Sequence, residues 1–195
     1  MAVDFAMNGM LHRAMLRELD RVEALIRGGD VVAARKHWWF FSEMLHQHHE
    51  GEDEFLWPLI EQRSTEPAEL ATVDAMRAEH EQLHAALDTV DGCLRDGVAL
   101  PESTIADLDA LRLVLAAHSA HEEAKAEPLL AKYVTEEDLK PFNAANKKGQ
   151  HAMLVFPWIA DGGDSADQRV YDVLPGPVRL VLRPVMRRRY RAYFS

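Results

Sequence analysis

Cysteine is almost missing from this 195-residue chain; Cys93 is the single one. Its solitude excludes an internal disulfide framework and suits a reducing cytoplasm, the location expected here. No run approaches the roughly 18 apolar residues of a membrane-spanning helix. The opening MAVDFAMNGMLHR has an acid at position 4 and no basic stretch followed by an apolar block, which argues against a signal peptide. Strand-like alternation around hairpin turns is missing before residue 150. Acid is missing from residues 173–195, which hold Arg179, Arg183, Arg187, Arg188, Arg189 and Arg191. The first 172 residues are left with 16 basic residues against 32 acids, a formal −16. That charge repels phosphate backbones, so the main body is not expected to bind nucleic acid.

What is present is helical period. Apolar residues recur at heptad-like spacing over residues 5–27, 31–63, 67 to just before Gly97, and 101–133. Gly28-Gly29-Asp30 supplies a C-cap and turn, Pro67 a favoured first-turn proline, and Pro58 a kink or last turn inside the second segment. Short connections make neighbouring helices antiparallel. The expected fold is therefore all-α, an up-down-up-down four-helix bundle over residues 1–134. Residues 135–195 should add a fifth helix, capped at Thr135 and running to about residue 159, and an arginine-rich C-terminal extension packed on or appended to the bundle.

Two stretches correspond. His48-His49-Glu50-Gly51-Glu52-Asp53 and His118-Ser119-Ala120-His121-Glu122-Glu123 each read His, three residues, two acids, with a proline ten residues after the first His (Pro58, Pro128). His80 follows His12 by 68 residues, close to the 70 between the longer motifs, as if a helix pair were used twice. His-x-x-x-Glu projects an imidazole and a carboxylate to one helix face, and the apolar stripe decides which pair faces inward. The His48/Glu52 stripe is Phe41, Leu45, Phe55 and Leu59. The His49/Asp53 face is mixed, through Ser42, His46 and Leu56, and the His46/Glu50 face is a solvent face. His48 and Glu52 are thus the expected buried pair, with His46, His49, Glu50 and Asp53 as exposed or supporting neighbours. Similar stripes carry His12 (with Met15, Leu19 and Val22), His80 (with Val73, Met76 and Leu87, and His84 one turn on), and His118 with Glu122 (Leu111, Leu115, Ala126 and Leu129).

A buried Glu needs a partner, and the core stripes offer no Lys or Arg at neighbouring positions. Metal supplies the charge and takes nitrogen and oxygen ligands together. Five imidazoles and two carboxylates exceed the needs of one ion and suit two, bridged by the carboxylates, with iron favoured over manganese or zinc.

This set resembles the hemerythrin-like (HHE cation-binding) family over about residues 1–133. The matching pieces, in order, are His12, His48-x-x-x-Glu52, His80-x-x-x-His84 and His118-x-x-x-Glu122. The resemblance implies a four-helix bundle holding two iron ions in an oxo- or hydroxo-bridged pair. Glu52 and Glu122 would bridge; His12 and His48 would complete one iron, and His80, His84 and His118 the other. The family's oxygen carriers place the last carboxylate five residues after the histidine, which would select Glu123, whereas Glu122 has the better stripe. The expected function is binding or sensing of O2, NO or a related small oxidant. The alternatives are an enzyme removing H2O2 (catalase-like) or NO, and an iron-handling or structural metal site. Expected partners are a diatomic ligand or peroxide and a redox protein. The arginine tail, broken by prolines and interleaved with Val, Leu, Tyr and Phe, reads as a folded appendage more than a membrane anchor. His37-Trp38-Trp39-Phe40-Phe41 reads as core packing toward one end of the bundle, and His151 as structural.

Overall fold

The computed structural model describes residues 5–95, 99–148 and 151–195, without the side chains of 146–148 and 152. The expected acid at position 4 and the helix end near Gly97 lie outside the described residues. Among the described residues all regular structure is helical, and no helix is long and apolar enough to cross a membrane.

Helix α1 (Ala6–Arg27) ends at Gly28 and turns through Gly29, whose φ of 81° is the left-handed geometry glycine adopts without strain. Asp30 then caps α2 (Val31–Phe55), its carboxylate accepting from the Ala33 amide at 3.0 Å. The second segment breaks at Leu56 and resumes as α3 (Trp57–Arg63), with Pro58 in its first turn. Helix α4 (Pro67–Leu94) starts on its proline. Helix α5 (Thr104–His121) runs through one π-helical turn (Glu122–Ala126) into α6 (Glu127–Tyr133), again with proline in the first turn. Both breaks lie where a proline deprives the carbonyl four residues earlier, at Glu54 or Ala124, of its helical donor.

These breaks correct the expected stripes. Beyond Glu52 the buried residues are Leu56, Trp57 and Ile60 rather than Phe55 and Leu59; beyond Glu122, Ala126 is buried as expected and is followed by Leu130 rather than Leu129. The inward row slips by one residue after Glu52 and after Ala126. A π turn with its extra residue does that on the second motif, and the interruption at Leu56 does it on the first.

Helix α1 packs on α2 and α5, and α4 packs on α5 and α2, closing a ring of long helices. Their interior holds two apolar clusters. One gathers Met15, Leu19, Trp38, Phe41, Leu45, Leu87 and Leu111, and the other Leu56, Trp57, Ile60, Val73, Met76, Ala126 and Leu130. Trp38 closes the first cluster, its indole N–H donating to Asp91 at 2.6 Å.

The fifth helix is two helices, α7 (Leu139–Lys148) and α8 (Ala152–Ala160); its continuity at residues 149–150 lies outside the described residues. Thr135 and Asp138 cap each other's backbone N–H groups before α7 begins. A 3-10 turn (Asp167–Val173) leads to α9 (Gly176–Phe194), the arginine-rich segment. Helix α8 rests on α1, and α9 rests on α8 and α2. Arg13 and Arg17 of α1 bind the buried Asp167, and Trp158 of α8 donates to the buried Glu18, so polar anchors hold this segment as well as apolar contact.

Candidate metal centre

Between the two apolar clusters lies a polar layer contributed by all four long segments. His12 comes from α1, His48, His49 and Glu52 from α2, His80 from α4, His118 from α5 and Glu122 from the π turn; all seven are buried. Three groups of donor atoms converge within 4.8 Å of one another: His12, His48 and Glu122; His48, His49 and Glu52; and His49, His80 and His118.

The two carboxylates sit between the imidazoles. Glu122 Oε2 lies 3.1 Å from His12 Nε2 and 3.8 Å from His118 Nε2. The two Glu52 oxygens lie 3.2 Å from His48 Nε2 and 3.5 Å from His80 Nε2. Asn8 donates to the other Glu122 oxygen at 3.0 Å and to Glu127 at 2.9 Å, which turns Oε2 inward.

Three rings are held from behind. The Nδ1 atoms of His12, His80 and His118 pair with Glu123 at 3.0 Å, Asp53 at 3.1 Å and Glu79 at 3.0 Å. A carboxylate on Nδ1 fixes ring orientation and leaves Nε2 as the inward lone pair, the arrangement that orients metal-binding imidazoles. Glu79 also takes His121 Nδ1 at 2.7 Å. Nothing in the sequence reading singled out Glu79, because its partners lie on another helix. Arg77 reaches Asp53 at 3.4 Å from the outside.

Inward atoms are left without partners: Nε2 of His80 and His118, Oε2 of Glu52, and both ring nitrogens of His49. Orphaned buried polar atoms cost on the order of 1–3 kcal/mol each, and a common cation relieves several at once. The donor set, imidazole nitrogen with carboxylate oxygen and no thiolate, fits iron, manganese or zinc.

The residues titrate as a strained set. Burial opposes charge on His12, but the Glu122 and Glu123 carboxylates outweigh it and lift the ring to about 9. Burial, then the charged His12, pushes His48 down to about 3. Burial and the neighbouring His80, His48 and His118 rings hold His49 well below the ordinary imidazole range. Glu52 is pushed well above the carboxylate range by burial and by the Glu122 charge. Glu122 goes the other way, to about 2, because hydrogen bonding and charge from His12 overcome its burial.

Of the residues expected from sequence, the structure brings together His12, His48, Glu52, His80, His118 and Glu122. Glu122 is inside the layer, whereas Glu123 is half exposed on the outer nitrogen of His12. His84 belongs to none of the three donor groups. It is half-buried at the rim, its ring 6.1 Å from His49 and 5.0 Å from His46, with Nε2 unpartnered. His49, expected at an exposed or supporting position, is 0% exposed and stacks on His80 at 4.1 Å. The expectation failed because it assigned α2 one inward stripe. Helix α2 contacts α1 on one side and α4 on the other, so its buried arc takes in both His48 and His49.

Comparison with protein families matches residues 10–130 to the model described as the hemerythrin HHE cation binding domain. Neither the curated proteins nor the solved structures contain a match to the chain.

Proposed function

Since the chain belongs to the hemerythrin HHE cation binding domain family, we infer that its buried polar layer holds two iron ions and binds O2, NO or a related small oxidant. The observation that carries this reading is the set of unpartnered inward atoms on His49, Glu52, His80 and His118 beside the Glu122 carboxylate, enclosed between two apolar clusters. In an up-down-up-down four-helix bundle, His12 and His48 would hold one ion and His80 and His118 the other, with Glu52 and Glu122 reaching both. The remaining imidazole is His84 by motif; the packing favours His49. Bound iron would supply the positive charge that the two carboxylates lack, together with redox-active coordination positions open to a small ligand.

The protein's own groups prepare that place. Glu123, Asp53 and Glu79 keep three Nε2 atoms aimed inward, and Asn8 orients Glu122. Trp57, Ile60 and Met76 pack on one side and Leu45 and Met15 on the other, excluding bulk water from the layer. Two carboxylates against five imidazoles leave the site low in negative charge, which stabilises the ferric state less than a carboxylate-rich site would. That balance favours reversible ligand binding over strong oxidation.

Metal analysis of the purified protein should give about two irons per chain, and His48→Ala should lose at least one. Zinc alone, or one iron per chain, overturns the di-iron assignment. With iron in place, stopped-flow mixing of the reduced protein with O2 should show uptake that argon reverses. Irreversible oxidation with turnover of H2O2 would instead make the protein an enzyme.

A further inference from the structure

Away from the polar layer, α8, α9 and the 3-10 turn form a half-open cavity of about 470 Å³ against α1 and α2. Four guanidinium groups line it, those of Arg21, Arg183, Arg187 and Arg191, and Asp161 is the only acidic side chain among the described lining residues. Arg21 is already engaged by Glu18, Asp161 and Tyr190. The other three make no ion pair among the described residues. Arg183 lies over the Tyr171 ring at 4.9 Å, and its Nε is buried without a partner. Tyr171 is 1% exposed and lines the same cavity, and its hydroxyl is also unpartnered. A second cavity, of about 380 Å³, shares Arg183, Arg187 and Arg191 and adds Arg188.

Arg187 and Arg191 keep contact with solvent, yet each guanidinium repels the next, and the two orphaned donors, Arg183 Nε and the Tyr171 hydroxyl, have given up water. One ligand relieves both penalties: an anion whose several oxygens accept from converging donors. Arginine forks match phosphoryl oxygens, and three oxygens can engage more forks than a carboxylate's two. The volume lies in the range of about 300–1,000 Å³ typical of small-molecule sites and exceeds what bare phosphate fills. Aromatic walls from Tyr171, Tyr190 and Phe194 suit an organic group attached to that phosphate. We propose that this cavity binds a phosphate-bearing small molecule through Arg183, Arg187, Arg191 and the Tyr171 hydroxyl. The site is separate from the metal layer. Arg21 follows His12 by nine residues on α1, about 13 Å along the helix axis.

A phosphoryl group could reach these arginines from a soluble compound or from a phospholipid headgroup, since α9 also exposes Leu180 and Val181. Calorimetric titration of the full-length protein with phenyl phosphate at about 0.15 M salt should show saturable 1:1 binding, with phenol inert. Arg187→Gln should weaken it about tenfold. Tyr171→Phe should weaken it without lowering the thermal midpoint, whereas a purely structural tyrosine would leave affinity alone. Arg189→Gln, the same charge change on α9 outside both cavities, should bind as wild type. Binding to phosphatidylglycerol vesicles in place of phenyl phosphate, lost in Arg187→Gln and kept in Arg189→Gln, would assign the phosphoryl group to a lipid. No saturable binding to either probe, equal losses in Arg187→Gln and Arg189→Gln, or unchanged affinity in Tyr171→Phe overturns the proposal.

Discussion

His49 and His84 lie one helix apart, and their surroundings differ more than their positions in any motif. His49 is sealed among His48, His80 and His118 with both nitrogens idle, whereas His84 stands half in solvent beside His46. A ligand imidazole must be neutral to bind metal, and the depressed His49 keeps its lone pair throughout the neutral range. We therefore expect His49→Ala to lose iron as severely as His48→Ala, and His84→Ala to keep most of it, by metal analysis of the three proteins. Severe loss only in His84→Ala would return the fifth imidazole to the sequence motif. At this scale the burial of six of the seven residues expected as ligands was legible, because each lies on a largely apolar stripe. His49 was not, since burial from two neighbouring helices widens a face beyond what one stripe records. Glu79 was invisible for a related reason: it acts only through His118 and His121, on another helix.

Up to Tyr133 helix existence was readable from period and punctuation; the helix over residues 176–194, hidden by its prolines, and helix phase were not. Pro58 announced an interruption and Pro128 did not, and the one-residue slips to Leu56/Ile60 and to Leu130 depend on how the chain relaxes upstream of each proline. The ends of these elements are pinned by charge as well as packing. Glu69, in the first turn of α4, accepts from Lys132 and Tyr133 of α6 and from Ser64. Those hydrogen bonds, led by Lys132, hold its carboxyl at about 2 instead of the ordinary 4.5. A depressed carboxyl stabilises the fold above its unfolded value, and that stability is lost as pH falls through the folded one. Thermal midpoints of Glu69→Gln should therefore lie below wild type at pH 7, with the gap narrowing from about pH 4.5 and closing near pH 2. A gap independent of pH would mean that the carboxylate's charge is not what ties α4 to α6. Gly51 shows the reverse sensitivity. A Cβ there would come within 2.9 Å of the Phe142 ring of α7, a contact that no periodicity in either segment foretells.

Across the whole molecule, the layer that gives the protein its chemistry interrupts what would otherwise be one apolar interior. Without metal, the layer is a stability cost carried by the two clusters that flank it. Glu52 makes the cost measurable. Burial and the Glu122 charge raise its carboxyl well above 4.5, so in the metal-free fold it keeps a proton that the unfolded chain releases. The folded state then binds more protons than the unfolded one above about pH 4.5, and stability falls as pH rises through that value. Glu52→Gln removes the titration and keeps the shape. The metal-free variant should therefore melt above metal-free wild type at pH 7, and the advantage should vanish below about pH 4.5. Iron reverses the order. A ligand present at a thousand times its dissociation constant adds about 4 kcal/mol, about 8–16 °C for a chain of this size. Wild type should gain a shift of that order on iron loading, and Glu52→Gln much less. If Glu52→Gln melts lower in both forms, Glu52 is an ordinary structural residue, and the layer is not a site whose stability is held in reserve for metal.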